Sequence, residues 1–409
     1  MSPRDISERA EAGTGAASTR PRPPIWLLVA MIGLGPFTMQ IVVPSLPAMA
    51  RDLGASIATI QLTVTLYLLA VGIGQLIYGP LSDRFGRRPL LMGGLAVYAV
   101  SSLAAALTDG VLGLVVARSF QAVGACAGVV LARAVIRDVW SREQATSVLG
   151  YVTMGMTIAP MLAPVLGSLL DEIAGWRSTM LACLAFVLPL AFAAWFRLPE
   201  TLAVPQRLPG IAAIWGAYRS LWAVPAFRAY ATLTACATGV FFAFLGGAPY
   251  VVVQGMGYSP VTFGLAFAAV SIAFALGNWI AGRFAARLGP LRLLEIGVVT
   301  CTAGSLLATL LLVALPPHIL SFFLPMGLVA VGNGMTQPSS IAGALSARPQ
   351  LAGTASSLVG AMQMVFGALM SFVVGLVEFG AGVGTGLTMA GCGVGALLAL
   401  RAVRHVSPR

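Results

Sequence analysis

The 409-residue sequence predicts an all-α polytopic membrane protein, with twelve transmembrane helices arranged as two pseudo-symmetric six-helix bundles. Three observations carry this. The chain is 58% hydrophobic and only 9% charged, with a mean hydropathy of +0.92, whereas a soluble domain carries roughly 25% charged residues. Its apolar runs, each long enough to cross a bilayer core that takes roughly 20 residues per helix, fall into two sets of six about one long connector. A short motif also returns 203 positions further on, about half the chain.

Residues 1–24 are polar and rich in Arg, Pro, Gly and Ser, without the short apolar region and small-residue cleavage site of a signal peptide. They are expected to be a disordered cytoplasmic tail. The first six apolar runs begin near Ile25, Ile57, Pro89, Val111, Ala145 and Ser178 and define an N-terminal bundle over 25–197. Residues 198–228 are expected to be a cytoplasmic linker. It opens with LPETLAVPQRLPG, whose prolines forbid a continuous helix. Ile211, Ile214, Trp215, Tyr218, Leu221 and Trp222 then recur at helical spacing and predict a short helix on the membrane surface. The last six runs begin near Ala229, Val261, Leu291, Ile319, Ala352 and Val383, giving a C-terminal bundle and short cytoplasmic tail over 229–409.

All 24 basic residues are arginine, and their positions set the topology. With the N-terminus inside, 21 arginines fall in cytoplasmic segments, Arg51 and Arg177 fall outside, and Arg118 is embedded in a span. This is the bias of a multi-pass protein of a bacterial inner membrane with both termini in the cytoplasm. The net charge of +11 therefore does not imply a nucleic-acid partner, because the arginines cluster between apolar runs. Cys126, Cys183, Cys236, Cys301 and Cys392 lie singly inside apolar runs, and His318 and His405 fall on opposite sides of the membrane. Neither a disulfide framework nor a metal site is indicated, and no cofactor is expected.

The repeat aligns GPLSDRFGRRPLL at Gly79–Leu91 with GRFAARLGPLRLL at Gly282–Leu294, placing Gly79 over Gly282, Arg84 over Arg287 and Gly86 over Gly289. Parallel six-helix repeats place a substrate site between the halves near the membrane midplane. In the loop, Gly79 is expected at the turn, where a side chain would obstruct it, and Asp83 is an acid among Arg84, Arg87 and Arg88, set against a helix N-terminus. Ala286 stands opposite Asp83 in the repeat, so any latch is one-sided. Arg118 lies about seven residues into the fourth span, where an arginine costs on the order of 3 kcal/mol to insert. Pro160 and Pro164 each remove a backbone donor from the fifth span and are expected to bend it, and Gly167 permits close approach to a neighbour.

The Gly79–Leu91 loop resembles the signature loop of the major facilitator superfamily. The finer pattern resembles its twelve-span drug:proton antiporters, in particular the bicyclomycin- and chloramphenicol-resistance branch. That finer pattern rests on PSLPAMARDLGAS, ARSFQAVGACAGVVLARAVIRD, APMLAPVLG and AGTASSLVGAMQ. The resemblance runs from about Ile25 to Arg404 and implies the major facilitator fold. It implies that Asp83, Arg87 and Asp138 form a charge relay at the inner gate, with Asp83 facing the start of the eleventh span near Gly353 to Ser356. It also implies that Arg118, with Gln121 and Gly124, lies close to the cavity and is tied to proton movement. Helices one, two, four, five, seven, eight, ten and eleven line the cavity in this family. The polar or aromatic residues near their middles are Phe37, Met39, Gln40, Tyr67, Met154, Phe241, Phe244, Asn278, Asn333, Gln337 and Gln363. Together they describe an apolar, aromatic pocket with a few neutral hydrogen-bonding groups. The chain departs from the branch at one place: Gln40 stands four residues before Pro44, where an Asp is common, and Glu295 and Glu378 fall near helix ends.

The expected function is efflux of small amphipathic drug-like compounds by alternating access, with protons as the coupling partner, carried out by a monomer in the bilayer. An uptake permease or uncoupled facilitator for a metabolite would use the same scaffold. A membrane-embedded enzyme or receptor would need a catalytic constellation or a sizeable soluble domain, and the sequence offers neither.

Overall fold

The computed structural model describes residues 22–140, 144, 148, 161–202, 211–316, 318–377 and 382–406. The expectations for residues 1–21, Met154, Pro160, Glu378 and the proline-rich stretch 203–210 lie outside the described residues. Among the described residues eleven helices are long and apolar enough to cross a membrane. Helical residues 161–174 contribute the described part of the remaining span, the fifth in chain order.

The first span runs Ile25–Asp52, and the second to fourth run Ile57–Phe85, Arg87–Leu107 and Val111–Val139. The sixth and seventh are Arg177–Arg197 and Pro225–Gly255. The eighth helix is Pro260–Leu288, and the ninth to twelfth spans are Pro290–Ala314, Ile319–Ser346, Pro349–Val377 and Val383–Val406. Prolines such as Pro36, Pro80, Pro189, Pro325 and Pro338 sit inside these helices, which membrane helices tolerate because neighbouring groups satisfy the freed carbonyls. At Pro249 the seventh span passes from α-helix into a π-helical turn, Tyr250–Gly255; the proline has no N–H to carry the α-ladder forward.

The repeat read from the motif extends well beyond it. The second-span helix and the eighth both contain 29 residues. Ser56 caps the second by accepting from Thr59 N at 3.2 Å, and Ser259 caps the eighth by accepting from Thr262 N at 3.2 Å. Both helices end at a glycine with positive φ, Gly86 at +98° and Gly289 at +80°, and the next helix starts at once. A residue with a Cβ avoids that backbone region, so glycine at these two positions is a requirement of the turn.

Packing follows the same symmetry. In the first half, span one packs on four and six, three on four and six, and two on four; in the second half the corresponding pairs are seven with ten and twelve, nine with ten and twelve, and eight with ten. Small residues set these crossings. A Cβ on Gly124 would lie 2.5 Å from Gly94 O, and a Cβ on Gly128 would lie 2.5 Å from Met31 O. All five cysteines are buried free thiols.

The halves meet along spans two and eleven. Gln61 donates to Ser371 Oγ, a Cβ on Gly72 would touch Ala361 O at 3.3 Å, and Gln75 packs over Gly360. A second meeting line joins spans five and eight, where a Cβ on Gly264 would lie 2.5 Å from Ser168 Oγ and 2.9 Å from Pro164 O. The helix Ile211–Trp222 between the halves docks through buried Leu221 against Phe227, Ala231, Ala344 and Val359, leaving Trp215 and Trp222 exposed. At the end of the molecule away from the arginine clusters, Arg177 joins three loops of the first half, reaching Asp52 at 2.5 Å and Asp109 at 3.2 Å.

Candidate functional site: a central cavity and a charge relay

A cavity of about 320 Å³ lies between the halves. Spans one, two and four supply Met39, Gln40, Tyr67, Val71 and Cys126, and spans seven, eight, ten and eleven supply Phe241, Phe274, Asn333, Gln337 and Gln363. Among the described residues its lining contains no acid, arginine or histidine. The polar groups concentrate in the second half. Gln337 and Gln363 each donate to Thr238 Oγ1 at 2.9 Å, and Gln363 also donates to Gln337 Oε1 at 3.0 Å. Asn333 donates to Ala237 O at 2.9 Å.

Of the cavity residues expected from sequence, Met39, Gln40, Tyr67, Phe241, Asn333, Gln337 and Gln363 are brought together here. Three are not. Phe37 stacks on Phe186 at 5.0 Å, within the first half. Phe244 is fully buried in a knot of rings with Phe267, Phe322 and Phe323, because its helix face turns toward the eighth and tenth spans. Asn278 spends its amide on Phe274 O of its own helix, at 3.1 Å. Thr238, Gln75 and Ser271 line the cavity without having been singled out; a lone Thr or Ser inside an apolar run carries no sequence signal of its own.

Arg118 is 1% exposed and sits behind the cavity wall, its guanidinium 4.5 Å from the ring of Tyr67. It donates to Gln121 Oε1 at 2.6 Å and to Thr38 O at 3.4 Å, while its Nε and NH2 have no acceptor among the described residues. Gln121 passes the chain on to Ser102 Oγ at 2.7 Å. Gly124, one turn further, provides the close crossing with Gly94. The fourth-span arginine is therefore held by neutral groups and a π-face. Among the described residues no carboxylate pairs with it.

At the arginine-rich end, Arg87 is buried and pairs with Asp83 at 2.6 Å and Asp138 at 3.0 Å. It also donates to Ser82 Oγ, and Thr201 donates to Asp138 at 3.2 Å. Several expectations are corrected here. Gly79 is not the turn: the helix continues to Phe85, nothing lies within 4 Å of a Cβ on Gly79, and the turn is made by Gly86. The acid at the helix N-terminus is Glu200, which accepts from Arg87 N and Arg88 N, both at 3.0 Å. Asp83 closes the preceding helix instead. Arg84 lies over Phe85, and Arg88 reaches Trp195 O at 2.7 Å, so both stand outside the relay. Among the described residues Asp83 pairs within its own half, and the side chain that approaches Gly353 of the eleventh span is Arg137, at 3.9 Å from its Cβ position. The relay thus binds spans two, three and four and the segment after span six into one body. Glu200 escaped the sequence reading because it lies 113 positions from the amide it caps. In the fifth span Gly167 packs directly on Ile41 of span one, a contact within the half, whereas Pro164 faces Gly264 across the halves.

Two matched helical bundles enclosing a membrane-embedded cavity define a solute transporter of the rocking type. The chain belongs to the Major Facilitator Superfamily, whose family model matches residues 28–371. It is similar to the chloramphenicol resistance protein of Pseudomonas aeruginosa, at 34% identity over 78% of this chain and 76% of that protein. It is also similar to multidrug resistance protein D of Escherichia coli (strain K12), at 30% identity over 83% of this chain and 85% of that protein. Among solved structures, a D-xylose-proton symporter shares the fold with a TM-score of 0.77 over 94% of this chain and 98% of that one, at 17% identity.

Proposed function

We propose that the protein exports uncharged amphipathic small molecules, antibiotics among them, across a bacterial inner membrane by alternating access of its two halves. The observation that carries this is the cavity: apolar and aromatic walls, a small set of neutral polar groups, and no charged lining residue among those described. Such a site favours an uncharged ligand, and a buried charge behind its wall, Arg118 against Tyr67, disfavours a cation. The resistance proteins similar to this chain support export as the direction. The arginine distribution supports a cytoplasmic side for both termini.

Coupling is assigned to protons that bind at the relay. Asp83 is partly open to solvent and shares Arg87 with Asp138, so protonation of either acid weakens one arm of the clamp. Expression in a pump-deficient bacterium tests the proposal. Resistance to uncharged amphipathic antibiotics should rise, and resistance to lipophilic cations should not. A strain that gains no resistance but accumulates one nutrient would make the protein an uptake permease.

A further inference from the structure

We propose that the cavity selects its ligand by hydrogen-bond donors, through two carbonyl oxygens contributed by opposite halves: Gln40 Oε1 and Asn333 Oδ1. The polar residues of the lining divide into two kinds. Thr238, Gln337 and Gln363 satisfy one another in a closed cluster. Gln40 and Asn333 do not close. Gln40 is 4% exposed and Asn333 3% exposed, both line the cavity, and among the described residues neither carbonyl oxygen has a donor. The Asn333 amide is oriented by its N–H bond to Ala237 O, which leaves its oxygen as the end without a partner among the described residues.

An acceptor in an otherwise apolar cavity discriminates sharply. A ligand without a donor leaves the buried oxygen unsatisfied, whereas a hydroxyl or amide N–H gains a hydrogen bond there. Since Gln40 belongs to the first span and Asn333 to the tenth, a ligand with two donors bridges the halves. The class recognised is an uncharged aromatic or aliphatic body carrying at least two hydroxyl or amide N–H groups. Ethers and esters of the same shape bind more weakly, and so do lipophilic cations without donors. This rests on the cavity being the substrate site.

The test is equilibrium dialysis of tritiated aromatic diols built on naphthalene, biphenyl and anthracene, each paired with its dimethyl ether, against the full-length protein in lipid nanodiscs. The wild type should prefer the diol in at least one pair by on the order of tenfold, the value of two net hydrogen bonds. Gln40→Met and Asn333→Leu should each reduce that preference by roughly threefold, about one hydrogen bond's worth, and together abolish it while ether affinity is retained. Gln40→Glu and Asn333→Asp, which keep the acceptor, should retain the preference, and they decide the matter where the apolar variants fail to fold. Equal binding of diol and ether in every pair, a preference that survives the double substitution, or no binding of any pair would overturn the proposal. Dialysis is blind to direction. A diol preference without resistance in cells therefore counts against export alone, and export without a diol preference counts against the acceptor pair alone.

Discussion

The two pseudo-symmetric turns allow the contribution of Glu200 to be measured by difference. Gly86 and Gly289 occupy the same place in the repeat, with nearly the same backbone, φ +98° and ψ 154° against φ +80° and ψ 152°. An alanine in this region costs about 1–3 kcal/mol at either position through backbone strain alone. The surroundings differ. A Cβ at Gly289 meets nothing within 4 Å, whereas one at Gly86 would lie 2.6 Å from Glu200 Oε2. Gly86→Ala must therefore also displace the carboxylate that caps Arg87 N and Arg88 N, and loss of such a cap costs about 1 kcal/mol. In detergent, thermal unfolding followed by tryptophan fluorescence should place Gly86→Ala about 2 °C below Gly289→Ala. Combined with Glu200→Gln, the added penalty of Gly86→Ala should shrink, since both substitutions act on one contact. Gly79→Ala and Gly282→Ala, which meet nothing within 4 Å, should be neutral or slightly stabilising. The reasoning is refuted if Gly289→Ala proves as costly as Gly86→Ala.

Other consequences follow from the relay and the buried arginine. Asp83→Asn should cost less than about 1 kcal/mol, because its carboxylate is 39% exposed, yet lower gradient-driven transport; transport at the wild-type rate would sink its coupling role. Asp138→Asn should cost more, about 1–3 kcal/mol, since this acid is more buried and serves both Arg87 and Thr201, and equal unfolding midpoints for the two variants would contradict that ranking. Arg118→Leu removes a buried charge that has no carboxylate partner among the described residues, so unfolding should shift little or upward while transport is lost; transport at the wild-type rate would show the arginine to be merely tolerated. Gln40→Asp puts an acid into the cavity wall and should strengthen pH-gradient dependence and confer cation export, read as ethidium efflux at two imposed gradients.

How much was legible in the sequence depended on how far each interaction reached along the chain. Spans could be read because hydropathy is local: Ile57, Val111, Ile319 and Val383 begin helices where the apolar runs begin. The seventh helix starts four residues earlier than Ala229, at Pro225, because proline at a first helical turn extends the helix beyond its apolar stretch. The repeat was legible from Gly86 and Gly289, whose backbone only glycine adopts. Side-chain facing was less legible. Phe241 and Phe244 lie three residues apart on one helix, yet one lines the cavity and the other is locked among rings, a difference set by the neighbouring spans. Glu200 capping Arg87, and Arg118 stacking behind Tyr67, are contacts between distant segments, and no periodicity announces them.

The central claim, an exporter whose neutral cavity carries uncharged amphipathic molecules between two rocking halves, is tested most directly in everted membrane vesicles with an imposed pH gradient. Wild-type vesicles should accumulate an uncharged amphipathic antibiotic when the interior is acidic and release it when the gradient is collapsed. Vesicles carrying Asp83→Asn with Asp138→Asn should accumulate it poorly at any gradient. Accumulation that is absent in wild type, or full gradient-driven accumulation by the doubly substituted protein, would contradict the account.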